Sequence, residues 1–187
     1  MSVGMKQYLA KIRANDTQAR QDLTLLWPWL STRDSLTAKA MRHGKVQVYQ
    51  LSGGCRRADV AQKHLLQLSA RQLLYQREIL FTCDGQPWWF GRTIMPFHTT
   101  QNTWRLVTKL GNKSLGSVLF HTPQIQRQRS WISPVYGDTQ LPASLLNDSI
   151  HDDRVLWSKS TQYCLANAPL MVTEIFLPTM LAQLQVA

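Results

Sequence analysis

"REILFTCDGQPWWFGRTIMP", residues 77–96, reads as two apolar strands folded about Asp84-Gly85. Asp-Gly suits a tight hairpin loop because both central residues need positive φ. Pairing Cys83 with Gln86 predicts Phe81 opposite Trp88, Ile79 opposite Phe90 and Arg77 opposite Arg92. Alternate residues of a strand point to opposite sides. Tyr75, Arg77, Ile79 and Phe81 therefore share one face of the first strand, and Gln76, Glu78, Leu80 and Thr82 share the other. On the second strand Trp88, Phe90, Arg92 and Ile94 fall together. Both arginines point where a core should be.

A third charge does the same. In "PLMVTEIFLP" (169–178), Glu174 shares its face with Leu170, Val172 and Phe176. Two guanidinium groups facing each other across a ladder repel, and apolar surroundings strengthen the repulsion. Glu174 is the natural counter-charge, since the one other glutamate, Glu78, lies on the opposite face. Two arginines and one glutamate leave a positive charge over, which suits an anion carrying one or two carboxylates. The competing reading makes Arg77 and Glu174 a structural ion pair, with Arg92 extending its stem to the surface. Strand pattern alone leaves both open.

Outward from the hairpin, residues 5–14 read as a short helix, and "LTLLWPWL" as an apolar segment interrupted by Pro28. "RDSLTAKAMRHGK" carries helix punctuation, with Asp34 or Ser35 as cap and Gly44 as stop. "KVQVYQL" alternates as a strand before a turn at "SGG", and residues 58–70 are ambiguous. "NTWRLVTKLG" and "SLGSVLF" read as short helices, and 125–133 as a strand. Residues 134–153 read as a long loop, followed by a strand at 155–165, a turn at Asn167-Ala168 and the strand containing Glu174. Strands joined by short turns imply an antiparallel sheet with helices grouped on one face, an α+β domain spanning 1–187.

Composition narrows the function. The net charge is +10, but the 21 Lys and Arg are scattered, with no longer basic run than Arg56-Arg57, which speaks against a nucleic-acid binder. Diffuse positive charge still steers small anions. The apolar stretches fall short of the ~20 residues of a membrane span, and the opening residues lack the apolar core of a secretory signal. Three cysteines (Cys55, Cys83, Cys164) without a CxxC pair point to a reducing, cytoplasmic setting. The five histidines show no metal-ligand spacing, and His151-Asp152-Asp153 reads as solvated loop. Trp88 and Trp89 are expected on opposite faces.

"REILFTCDGQPWWFGRTIMP", "LGNKSLGSVLF" (110–120) and "PLMVTEIFLP", with "RDSLT" (33–37) as a weaker fourth, together resemble the signature stretches of bacterial chorismate pyruvate-lyase. Residues 121–160 depart from that pattern. The resemblance implies a monomeric α+β fold, a buried ligand beneath helical flaps, and no metal or cofactor. It implies removal of pyruvate from chorismate to leave 4-hydroxybenzoate for ubiquinone synthesis. By motif, Arg77 and Glu174 become the catalytic pair, and Leu36 and Leu115 further ligand contacts. Arg92 of "GRT" is placed near the site, attracting the enolpyruvyl carboxylate while Arg77 anchors the ring carboxylate. The runner-up is a non-catalytic small-anion sensor of the same fold; the lack of a preceding helix-turn-helix segment weighs against it.

Overall fold

The computed structural model describes residues 3–9, 16–136, 141–142, 145 and 155–186. Six strands form one sheet: β1 (Val46–Arg57), β2 (Leu73–Cys83), β3 (Gln86–Pro96), β4 (Gln126–Val135), β5 (Leu156–Leu165) and β6 (Ala168–Phe176). Their order is β1-β2-β3-β6-β5-β4, and every neighbouring pair is antiparallel. The last hairpin, β5–β6, thus docks against the β2–β3 hairpin. The helices are α1 (Val3–Leu9), α2 (Thr17–Leu30), α3 (Leu36–Ala40), α4 (Val60–Leu66), α5 (Arg105–Thr108), α6 (Gly116–Leu119) and α7 (Pro178–Val186). The α+β class read from the sequence holds.

Two apolar clusters cover one face of the sheet. In the first, Leu23, Leu26 and Leu30 of α2 and Met180 of α7 pack on Phe81, Trp89, Trp157 and Phe176. In the second, Val107, Leu110 and Leu115 pack on Met95, Leu170 and Tyr163. The opposite face carries Phe90, Val135, Leu156 and Ile175 packed with Leu141, and Leu74 and Ile94 under Leu66 of α4. α4 therefore lies across the face away from α2.

Several elements differ from the sequence reading. α2 runs through Pro28 to Leu30, with Asp16 accepting from the Ala19 amide at 2.8 Å as its N-cap. An interior proline costs about 3 kcal/mol, but burying Trp29 and Leu30 beyond it returns about 1.5–3 kcal/mol per large apolar side chain. The expected turn at "SGG" is absent, and β1 continues through it with an irregularity at Leu51. The β5–β6 turn centres on Ala166 and Asn167, both with positive φ, one residue earlier than expected. Beyond β6 the sequence reading named no element, and Pro178 begins α7, where its missing N–H has no partner to lose. α1 is described only to Leu9, so the remainder of the expected 5–14 helix, most of the 134–153 loop and His151-Asp152-Asp153 lie outside the described residues.

The decisive correction is in the opening hairpin. Asp84 and Gly85 form its turn with φ of 48° and 77°, and Cys83 pairs with Gln86 as expected. The register then slips: Thr82 lies opposite Pro87, Phe81 opposite Trp89 and Ile79 opposite Gly91. Trp88 is the extra residue of a bulge beside a proline that cannot donate to the ladder. The bulge lets both tryptophans turn into the same core, at 2% exposure each, rather than to opposite faces. It also moves every later residue of β3 to the other side of the sheet from its expected position.

Candidate active site

Between the two clusters on the α2 face lies a cavity. Its floor is Arg77, Ile79, Phe81, Trp89, Gly91 and Thr93 of β2–β3, Val172 and Glu174 of β6, and Lys159, Thr161 and Tyr163 of β5. Its roof is the two flaps 33–37 and 114–120, which contribute Leu36, Leu115, Leu119 and Phe120. The flaps are tied to each other through the Thr37 and Ser114 hydroxyls, 2.8 Å apart. Ser35 caps α3 by accepting from the Ala38 amide at 3.2 Å, which fixes Leu36 as the first helical residue, facing inward and buried. Leu115, just ahead of α6, is buried across from it.

Arg77 is 1% exposed. Its Nη2 donates to the carbonyls of Gly111 (2.8 Å) and Lys113 (2.7 Å), holding down the approach to the second flap. Its Nε is buried and has no hydrogen-bond partner. Burial pulls the guanidinium below its ordinary pKa, with Tyr75 opposing that weakly; an arginine so placed remains a cation at neutral pH. No ion pair joins Arg77 to Glu174. The structural-pair reading therefore fails, and a buried donor is left unsatisfied, which costs about 1–3 kcal/mol unless something accepts from it.

Glu174 is pushed up to about 7, first by burial and then in spite of Lys159 and Arg127, which pull it down. Glu174 is half-buried and lines the cavity. Lys159 stands directly across the β5–β6 ladder from Glu174. Its Nζ donates to the α2 carbonyl of Trp29 (3.4 Å) and to that of Thr32 (2.5 Å), and burial lowers it to about 8. Arg127, on β4, donates from Nη1 to the Arg33 carbonyl at 2.9 Å and from Nε and Nη2 to the Ser130 hydroxyl. Tyr163 is raised to about 12 by burial and by Glu174, so it keeps its phenolic proton. Arg33 and Asp34 sit exposed at the rim and offset each other. Inside, three cations (Arg77, Arg127, Lys159) face one carboxylate (Glu174).

Arg92 is not among them. After the Trp88 bulge it lies opposite Glu78, and Arg77 lies opposite Thr93. Arg92 bonds the Glu78 carboxylate at 3.0 Å on the far face of the sheet, where Ser52 and Gln76 also donate to Glu78. The like-charge clash expected in the hairpin does not arise. The structure thus brings together Leu36, Arg77, Leu115 and Glu174, and places Arg92 elsewhere.

Lys159 and Arg127, rather than Arg92, supply the further positive charge that lines the cavity. Lys159 was detectable: in "LWSKSTQYCL" it shares a face with Trp157, Thr161 and Tyr163, the same oddity that marks Arg77 and Glu174. Arg127 has no such signature, because the β4 register is broken between Arg127 and Ser130.

The chain is similar along its length to known proteins. The family described as chorismate lyase matches residues 10–186. A probable chorismate pyruvate-lyase of Methylobacillus flagellatus is 30% identical over 158 residues, covering 82% of this chain and 87% of that protein. The chorismate pyruvate-lyase of an Escherichia coli strain is 30% identical over 173 residues, covering 92% and 90%. Among solved structures, the effector domain of PhnF from Mycobacterium smegmatis shares the fold, with a TM-score of 0.54 at 18% identity over 77% of this chain and 88% of that one. Matched by the family model over nearly its whole length and by relatives 30% identical over most of theirs, this chain belongs to the chorismate lyase family.

Proposed function

We propose that this protein is a chorismate pyruvate-lyase, converting chorismate to 4-hydroxybenzoate and pyruvate in the cavity beneath the flaps. The observation that carries the reading is the Nε of Arg77, a buried donor without a partner in a cavity where cations outnumber carboxylates. A ring carboxylate would satisfy it, strengthened by the apolar walls. In this reading Glu174, which lines the cavity, hydrogen-bonds the ring hydroxyl, and Leu36 and Leu115 close over the ring.

The chemistry asks little more of the protein. The ether C–O bond to the ring breaks, and the neighbouring hydroxyl-bearing ring carbon gives up its hydrogen. A ring double bond forms, which aromatises the product. The departing enolpyruvate takes a proton at its methylene carbon and becomes pyruvate. Aromatisation supplies the driving force, so the site contributes orientation and charge stabilisation. With its pKa near 7, Glu174 is poised to accept or donate a proton near neutrality. No cofactor enters this scheme. The reading takes the chain as one cytoplasmic, monomeric domain acting on a small molecule rather than on nucleic acid; among the described residues no helix is long and apolar enough to cross a membrane.

The test is a chorismate assay on purified protein treated with a chelator, following 4-hydroxybenzoate by its ultraviolet absorbance and pyruvate through a coupled enzyme. Equal yields of both, lost in Arg77→Ala, support the reading. Saturable binding of chorismate without turnover would indicate a sensor instead.

A further inference from the structure

The strand register lays out the cavity floor in rows. Arg77 lies on β2, Glu174 two strands away on β6, and Lys159 one strand further on β5, directly opposite Glu174. Three inter-strand spacings, roughly 14 Å at about 4.8 Å each, therefore separate the backbones of Arg77 and Lys159. Between them, in the row of Glu174 and Lys159, is Gly91, against which the Ile79 side chain packs so closely that a Cβ there would come within 2.8 Å of it. Arg127 extends the positive end onto β4, where it pairs with Tyr163 of β5.

Chorismate has a matching layout. Its ring carboxylate and ring hydroxyl are at opposite ends of the ring, and the enolpyruvyl ether is attached next to the hydroxyl. With the ring carboxylate on Arg77 and the hydroxyl at Glu174, the enolpyruvyl arm projects from the Glu174 end. Lys159 and Arg127 are the cations there. Both also border a second, more open cleft walled by Tyr8, Trp27 and Trp131, so the arm points towards an outlet. Lys159 is 4% exposed and uses two carbonyls as acceptors, which leaves its third N–H for a ligand.

Resting on the lyase reading, we propose that Lys159 and Arg127 hold the enolpyruvyl carboxylate and so distinguish the dianionic substrate from the monoanionic aromatic product. They are substrate-recognition residues, and the product, having lost the arm, does not need them.

The experiment compares KM for chorismate with the inhibition constant of 4-hydroxybenzoate in Lys159→Gln, Arg127→Gln and Lys159→Arg. The expected result is a KM raised at least tenfold in both glutamine variants. The product constant should stay within about threefold, and Lys159→Arg should recover most of the affinity. If both constants move by the same factor, or neither moves, the inference is wrong and the cations are structural. Arg127, less buried than Lys159, keeps the test open if the buried lysine variant fails to fold. Wild-type protein that neither turns over nor binds chorismate would overturn the lyase reading itself; turnover with unselective variants overturns this inference alone.

Discussion

Lys159 and Glu174 face each other across the β5–β6 ladder, yet no ion pair joins their side chains. The lysine reaches instead for the carbonyls of Trp29 and Thr32, at the end of α2 and just beyond it. Glu174 consequently feels Lys159 only as a neighbouring charge, too weak an influence to reverse the effect of burial, and its pKa stays near 7. An intimate pair would have kept the carboxylate firmly ionised and unable to exchange a proton at neutral pH.

This arrangement makes stability depend on pH in a definite direction. Glu174 holds its proton up to about 7 in the folded chain, against an ordinary value of 4.5. Between those values the folded state binds more protons than the unfolded one, so stability falls as pH rises and levels off above the folded pKa. Lys159, lowered to about 8, acts oppositely at higher pH, where stability recovers towards the ordinary lysine range. Thermal unfolding should show a Tm loss of about 5 °C or more from the acidic to the neutral end of the Glu174 window. Glu174→Gln should flatten that slope, and an unchanged slope in the variant would refute the assignment.

In turnover, Glu174→Gln should cost at least ~10²-fold in kcat if the carboxyl transfers the proton. A variant with near-normal kcat and a raised KM would reduce Glu174 to a binding residue.

Arg77 couples the floor to the roof. Arg77→Ala removes the donors to Gly111 and Lys113 and leaves a void, so a loss of about 2–4 kcal/mol in stability is expected. Hydrogen exchange should accelerate at residues 111–116 in particular. Uniform acceleration across the sheet would instead mean that the arginine supports the whole core rather than this flap.

The hydroxyls of Thr37 and Ser114 hydrogen-bond the two flaps to each other. Thr37→Val should lower global stability by no more than about 1 kcal/mol while raising the dissociation rate of 4-hydroxybenzoate several-fold in stopped-flow displacement. An unchanged off-rate would show that flap opening does not pass through this contact.

Arg92 serves as the contrast. Arg92→Gln breaks the Glu78 pair on the far face and should cost about 1–3 kcal/mol in stability, because Glu78 is buried and keeps only its neutral donors Ser52 and Gln76. KM for chorismate should change less than threefold. A tenfold rise would return Arg92 to the site.

The antiparallel sheet, the hairpin at Asp84-Gly85 and the inward-facing positions of Arg77 and Glu174 were legible in the residues alone, because strand alternation and turn chemistry are local properties of the chain. The motif resemblance added the flap residues Leu36 and Leu115, which the structure places over the cavity. Only the tertiary structure decided what stands opposite what. A single bulged residue, Trp88, exchanged the faces of β3 and sent Arg92 to Glu78. The driving cause is the burial of two large indoles in the α2 core, a gain that no pairwise rule for the hairpin contains. Lys159 and Arg127 joined the site for the same kind of reason. Their strands reach Glu174 through the insertion of β6 between β3 and β5, a long-range pairing set by how the sheet as a whole buries its two faces.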